Sequence, residues 1–420
     1  MEAVEKEAYA LKLSNYAAQL IGSPRRLTAL AMLRRAAEMT KTAGVHTNLA
    51  ISLMGLGVYD ESSQILQRLT TENAVDLAAW HAYGVLGLIA AQPEIACQSF
   101  RQCRIIEPKI LTHRFDHSCA LMQANRWVEG WELYETRRDH KPERSFPGLR
   151  RWDGSEGKSV YVWAEQGIGD TLQFARYLPL LRQKSKRVVF AVPPSLFKLF
   201  AGYKEVCDIM MINTAVDDIE CETPLMSLPQ YLGPAPDTWP ADPGLLANDI
   251  KPLTLDKPFK VGLCWAVGGT SHNHLERSVP FSQMVGLVEN SAASFYSLQV
   301  GHDAGALQEN DAQLLVTDLN PLLTDEWHHT AAAIKSMDMV VSTDTSVAHL
   351  AAILGKPTIM LLARRDWWRW GNAGSTTPWY PTMTIIRQKR PFYWEDEIKT
   401  ASALVAQAAE VRNSQVELAA

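Results

Sequence analysis

The sequence predicts an α plus α/β protein, with helical repeats at the N-terminus followed by two wound α/β domains. Three observations predict it. Small and large residues recur every 34 positions between 43 and 136. From 159 onward, short β-branched apolar runs alternate with helical segments. A stretch at 233–258 carrying Pro234, Pro236, Pro240, Pro243, Pro252 and Pro258 divides that alternation in two.

The repeat comes first. Gly57, Ala91 and Asn125 share one register position, as do Tyr59, Pro93 and Trp127. Ser62, Ala96 and Gly130 share another, and Leu66, Phe100 and Tyr134 a fourth. The middle copy reads Trp80-x2-Tyr83-Gly84, then Ala96-x3-Phe100, then Pro108. This resembles the tetratricopeptide pattern, in which small residues let two helices approach and large ones fill the gap. Ala29, Leu33 and Ala36 lie 33 residues before Ser62, Leu66 and Leu69, which predicts a degenerate first copy. Gly130-Trp131-x2-Tyr134 predicts that the last helix docks onto a more C-terminal part of the chain. Such a solenoid serves either as a protein- or peptide-binding surface or as a structural cap or oligomer contact. It leaves the oligomeric state open.

Residues 137–158, with Pro142, Pro147, Gly148, Gly154 and Gly157, read as a linker. Ser159–Ala164 reads as a strand, Glu165–Asp170 as a loop and Thr171–Arg182 as one helix. Val188–Val192 is a strand ended by two prolines, and Ser195–Phe200, Val206–Ile212 and Pro224–Leu232 continue the alternation. The second alternation starts at Val261–Ala266 and runs through Phe281–Glu289, Phe295–Val300 and Thr384–Arg387. Its clearest unit is DMVVSTDTSVAHLAAILGKPTIMLL at 338–362: strand, polar loop, helix, Gly355 as helix stop, Pro357, strand. A parallel βαβ unit with a polar helix N-terminus suits an anionic ligand. Glu395–Val411 reads as a terminal helix. The expected domains are 1–142 (repeats), 143–258 (first wound domain with its linker) and 259–420 (second wound domain and terminal helix), with a cleft between the wound pair.

Composition limits the function. A net charge of −5 and a pI near 6.1 speak against a polyanion-binding surface, so no nucleic-acid partner is expected. Cys97, Cys103, Cys119, Cys207, Cys221 and Cys264 are scattered with no CxxC, as reduced thiols of a cytoplasmic protein would be. The N-terminus MEAVEKEAYALKLS has no signal-peptide layout, and no apolar run approaches a membrane span.

Several separate stretches occur in an order that resembles the family-nine, heptosyltransferase-like glycosyltransferases. They are WAEQGIGDTLQFARYLPLL (163–181), CWAVGGTSHNHLERSVP (264–280), SLQ (297–299), VVSTDTSVAHLAAILGKP (340–357), and RRDWWRWGN with PWYP within 364–381. The resemblance covers roughly residues 150–400. It implies a GT-B fold of two Rossmann-like domains. It also implies a hexosyl- or heptosyltransferase-like enzyme that uses a nucleotide-sugar donor, inverts the anomeric carbon and needs no catalytic metal or other cofactor. A subset of this family that glycosylates autotransporter proteins carries a cysteine-rich C-terminal motif. This chain has no cysteine after Cys264 and departs from that subset.

The resemblance gives Asp170, after Gly167-Ile168-Gly169, the role of base toward the acceptor hydroxyl. Its local alternative is a helix-capping carboxylate. Glu165 is a rival base, and Gln166 could position either substrate. Thr345 and Ser346, at the N-terminus of the 347–354 helix, are expected to hold the donor diphosphate or simply to cap. Asp344 is expected at sugar hydroxyls, and His349, on the same helical face as Thr345, near the donor; their alternatives are capping and core packing. Thr270 and Arg277, in the loop that begins Gly268-Gly269, are expected phosphate contacts. The pairs His272/His274 and His328/His329 have no matched third ligand, so no metal site is expected there. Trp367, Trp368, Trp370, Trp379 and Tyr380 either wall the cleft or pack. The acceptor is a protein or peptide presented by the repeats, or else a saccharide or lipid-linked glycan of the lipopolysaccharide type. A repeat scaffold with a degenerate transferase domain is the non-enzymatic alternative.

Overall fold

The computed structural model describes residues 3–140, 146, 148–268, 274–290, 292–364 and 368–419. Thr270, Gly269, His272, Trp367, Pro142 and Pro147 lie outside them. The chain forms two compact units. One is 1–142 with 364–372, and the other is 143–363 with 373–420.

The first unit is built from helix pairs: α1 (Ala3–Ala18) with α2 (Arg26–Ala37), α3 (Ala43–Gly55) with α4 (Tyr59–Glu72), α5 (Leu77–Ile89) with α6 (Pro93–Ile106), and α7 (Leu111–Gln123) with α8 (Trp127–Tyr134). The degenerate first copy is therefore a real pair. At one repeat position, Gly57, Ala91 and Asn125 all adopt a left-handed conformation, with φ of 80°, 56° and 59°, and so turn each pair back on itself. Small residues bring the helices together. A Cβ on Gly84 would stand 2.7 Å from the Phe100 ring, and one on Gly87 2.6 Å from the Ala96 nitrogen. The segment 364–372 completes this unit. The Trp368 ring lies 5.3 Å from Trp131, 5.9 Å from Trp127 and 6.3 Å from Tyr134, and Asn372 donates to the Gln123 carbonyl. Packing is thus the role of Trp368, and 259–420 is not one continuous body.

The second unit holds two parallel sheets. Strands β1 (Arg150–Arg151), β2 (Ser159–Trp163), β3 (Arg187–Val192), β4 (Asp208–Met211) and β5 (Cys221–Pro224) lie in the order β1-β5-β2-β3-β4. Strands β6 (Lys260–Cys264), β7 (Ser294–Ser297), β8 (Val316–Asp318), β9 (Met339–Thr343), β10 (Thr358–Leu362) and β11 (Met383–Arg387) lie in the order β11-β10-β9-β6-β7-β8. Every pairing between these strands is parallel. The central strands β2, β9 and β10 are buried throughout, as both-sided coverage by helices requires.

Three details depart from the sequence reading. The linker includes β1, an edge strand paired with β5. The 171–182 helix is broken: Ile168–Phe174 is α-helical, Ala175–Tyr177 is a 3-10 turn and Leu178–Lys184 resumes the helix with Pro179 in its first turn. The terminal helix runs on to Ala419, and its Ile398, Ala401, Val405 and Ala409 share a core with Met284 and Leu287 of the helix Phe281–Val288.

Candidate functional site

Each sheet reverses its strand order at one point, between β2 and β5 in the first and between β6 and β9 in the second. Parallel α/β sheets bind ligands beyond the C-terminal ends of their strands at such points. The candidate residues sit there. In the first sheet, Glu165 follows β2, and its Oε1 accepts a hydrogen bond of 3.0 Å from the Met226 N–H beyond β5. Glu165 is buried, so its carboxylate ties the two strands together across the switch point. Gln166 takes the left-handed conformation at φ 59°, while Gly167 stands in extended backbone as the N-cap of the helix Ile168–Phe174. The tight turn therefore falls on Gln166. Asp170 stands at the third helical position, and its Oδ2 accepts from the Gly167 N–H at 2.9 Å. This is the returning half of a capping box.

In the second sheet, Arg277 reaches from the loop after β6 to the loop after β9. Its Nη2 donates both to the Asp344 carbonyl and to Asp344 Oδ2, each at 2.9 Å. Among the described residues the remaining guanidinium nitrogens of Arg277 make no hydrogen bond, and the side chain is partly exposed. Thr345 is the N-cap of the helix Ser346–Ile353, yet no side chain caps that helix. Thr345 Oγ1 instead bonds Ser342 Oγ at 2.9 Å and donates to Cys264 Sγ at 3.7 Å. Burial pushes the Cys264 thiol up to about 11, so no thiolate stands beside this helix end. His349 is buried, with Nδ1 2.7 Å from the Tyr380 hydroxyl and Nε2 3.9 Å from Asp344 Oδ1.

The two helix N-termini meet. A Cβ on Gly169 would lie 2.9 Å from His349 Cδ2 and 3.5 Å from Ser346 Oγ. Glycine is required here by this close approach, since its own φ is not left-handed. Asp170, next in sequence, is thereby brought to the helix that begins at Ser346.

Sequence reasoning missed four supporting residues. Gln299, of the SLQ stretch at the end of β7, accepts from the Trp265 and Ala266 N–H groups and donates to the Ala266 carbonyl, which clamps the loop after β6. Tyr380 orients His349. Arg176 is buried over the Trp379 and Tyr380 rings and donates to the Trp379 carbonyl; its Nη2 has no hydrogen-bond partner. Gln173, one helical turn after Asp170, is wholly buried with both amide atoms unpartnered. A polar side chain inside an apolar-looking helix was the available signal for the last two. Among the aromatics, Trp379 stacks on Trp239 with centroids 3.5 Å apart. His274 pairs with Asp303, His328 with Glu326 and His329 with Thr324, so each finds a local partner.

Residues 324–403 match the sequence model of glycosyltransferase family 9 (heptosyltransferase). The second sheet carries a family-nine glycosyltransferase domain. The match begins before β9 and ends in the terminal helix, and so contains Asp344, Thr345, Ser346 and His349. The protein FlbA of Caulobacter vibrioides is 25% identical over 334 residues, covering 69% of this chain and 54% of FlbA. The chain thus spans about half the length of that relative. Solved structures similar to the helical repeats include MamA from Desulfovibrio magneticus RS-1, at 18% identity and a TM-score of 0.29, over 32% of this chain and 77% of that one. Another is YrrB, described as a TPR protein with an unusual peptide-binding site, at 16% identity and a TM-score of 0.28, over 32% and 69%. The repeat architecture itself is established by the helix pairs and their shared turn position. The architecture is thus tetratricopeptide-like repeats followed by a GT-B-like pair of wound sheets that includes the glycosyltransferase domain. Among the described residues no helix is long and apolar enough to cross a membrane.

Proposed function

We propose that the protein transfers a sugar, with inversion, from a nucleotide-sugar donor to an acceptor hydroxyl. The apposition of Gly169–Asp170 with Ser346 and His349 at the two switch points carries this reading. The donor diphosphate lies at the N-terminus of the helix Ser346–Ile353, where backbone N–H groups and the helix dipole stabilise negative charge on the leaving group. Arg277 supplies its remaining N–H donors to the same charge, held in place by Asp344. Asp344 then acts chiefly by orienting Arg277, with its other oxygen near His349. Asp170 takes the acceptor proton as that oxygen attacks the anomeric carbon, through an oxocarbenium-like transition state. Glu165, engaged with Met226, serves the scaffold. No step calls on a metal ion, so turnover persists in excess chelator. The repeats present a protein or peptide acceptor, and a saccharide acceptor is the competing outcome of the same assay.

The test is calorimetry and turnover with a panel of uridine, guanosine, adenosine and cytidine diphosphate sugars. One nucleotide class binds and is slowly released from its sugar, and Asp170→Ala retains binding while losing turnover. Absence of binding by every nucleotide sugar overturns the enzymatic reading. Turnover untouched by Asp170→Ala removes the base assignment alone.

A further inference from the structure

The first unit holds a cluster that glycosyl transfer does not use. His81 on α5 and His113 and Asp116 on α7 bring potential metal-ligating atoms all within 4.8 Å of one another. It is the one such group of three found among the described residues. His113 and Asp116 are three residues apart on one helix and so share a face. His81 reaches them from the preceding repeat, its Nε2 3.2 Å from Asp116 Oδ2 and its ring 5.9 Å from that of His113. Two ligand atoms each about 2.1 Å from a tetrahedral zinc ion are about 3.4 Å apart. The His81–Asp116 separation is already close to that value.

His113 is the decisive member. It is only 6% exposed, and neither ring nitrogen has a hydrogen-bond partner. A neutral imidazole always carries one N–H and one lone pair, so burial without partners is costly. The 34-residue register places Val45 and Ala79 at the same position in the two preceding copies, both buried. Packing alone asks for an apolar residue here, and this copy has a histidine aimed at a carboxylate and a second histidine. His81 and Asp116 are 41% and 23% exposed on their side chains, so the cluster is closed on the His113 side and open on the other.

We propose that His81, His113 and Asp116 bind one divalent transition-metal ion of the zinc class. Two imidazoles and a carboxylate suit zinc, cobalt or nickel better than magnesium or calcium. Three protein ligands leave at least one coordination position toward solvent, for water or for a donor atom of a bound partner. The ion satisfies the orphaned His113 nitrogen and links α5 to α7, the leading helices of two consecutive repeats.

The test uses the untagged full chain, stripped with chelator, then titrated with Zn(II) by calorimetry and with Co(II) by visible absorption. One equivalent is expected to bind, Co(II) is expected to show the d–d bands of a four- or five-coordinate site, and saturating Zn(II) is expected to raise the Tm. His113→Val, which restores the residue type of Val45, is expected to fold at least as stably without metal. It is also expected to weaken Zn(II) binding at least tenfold and to abolish the Tm rise. Asp116→Asn is expected to weaken binding while keeping the fold. Lack of stoichiometric binding by the wild-type chain overturns the proposal. So does equal affinity in both variants, which would place the ion on other surface histidines.

Discussion

Arg277 was legible as a phosphate contact from its place after a glycine-containing loop, but its engagement with Asp344 was not, because the two lie 67 positions apart in sequence. The pairing changes what each residue does. Arg277→Ala removes donors from the diphosphate and leaves the Asp344 carboxylate largely buried without its cation. Nucleotide-sugar affinity should fall by at least tenfold, since hydrogen bonds to charged groups contribute about 1.5–3 kcal/mol each; Arg277→Lys should recover only part, because a point charge cannot serve Asp344 and a phosphate at once. Equal affinity in wild type and Arg277→Ala, measured by calorimetry, would remove this residue from the donor site. A different residue governs pH stability in the repeats. His117 is buried on α7 with its Nδ1 2.9 Å from Arg104 Nη1. Burial first, and then the Arg104 charge, push its pKa down to about 4. The unfolded imidazole titrates near 6.5. Above that pH both states are neutral and nothing is lost. Between about 6.5 and 4 the unfolded chain takes up a proton that the folded chain refuses, so stability falls as pH falls. The loss levels off below 4, at on the order of 2–3 kcal/mol. His117→Gln should flatten the fall of Tm between pH 6.5 and 4, and an unchanged slope would assign it to other groups.

At the scale of elements, the βαβ unit at 338–362 was readable almost residue by residue. Its strands are β-branched, and Gly355 terminates the helix at φ 72° before Pro357. Local chemistry set its boundaries. The elements that escaped were β1, β5 and β8, which are two, four and three residues long. They are too short to show a period, and β5 ends in proline; only pairing with a neighbour makes them strands. The site divides in the same way. Asp170, Thr345 and His349 could be picked out by residue type and position. That Gly169 is a packing glycine could not, because His349, its neighbour, is 180 positions away. Gly169→Ala should therefore push the helices Ile168–Phe174 and Ser346–Ile353 apart. His349 has little room to yield, being buried and bonded to Tyr380. Turnover should drop at least tenfold, with Asp170 still present but displaced, because misplacement of catalytic groups by about 1 Å is that costly. Combining Gly169→Ala with His349→Ala should cost less than the sum of the single changes, since the second removes the obstruction. Strict additivity of the two effects on kcat/KM would show that the close approach does not constrain the site.

At the scale of the whole chain, the repeats are not a self-sufficient N-terminal module. The polypeptide leaves the second unit after Ala363, contributes residues 364–372 to the first, and returns at Ala373. Sequence reading found the right residues on both sides, with Trp131 and Tyr134 expected to dock onto a later segment and 367–380 expected to be an aromatic cluster. It could not join them, because no local pattern announces that an excursion 230 residues later closes a helical repeat. The physical consequence is direct. Repeat arrays need a terminal cap, since the last pair has no neighbour to cover its apolar face. Here Trp368 supplies that cover, edge-on to Trp127 and Trp131. Trp368→Ala in the full chain should destabilise the unit by about 3–5 kcal/mol, the usual cost of truncating a buried large aromatic. The loss should concentrate in amide exchange protection of α7 and α8, with α1–α4 little affected, because in a repeat array each copy is stabilised by its neighbours alone. A fragment ending at residue 142 lacks the cover altogether. It should bind a hydrophobic dye and exchange α7 and α8 rapidly, and adding Trp127→Gln and Trp131→Gln should improve its solubility while harming the full chain. A 1–142 fragment that protects α7 and α8 as well as the intact protein does would mean that the 364–372 segment only rests on the repeats and does not complete them.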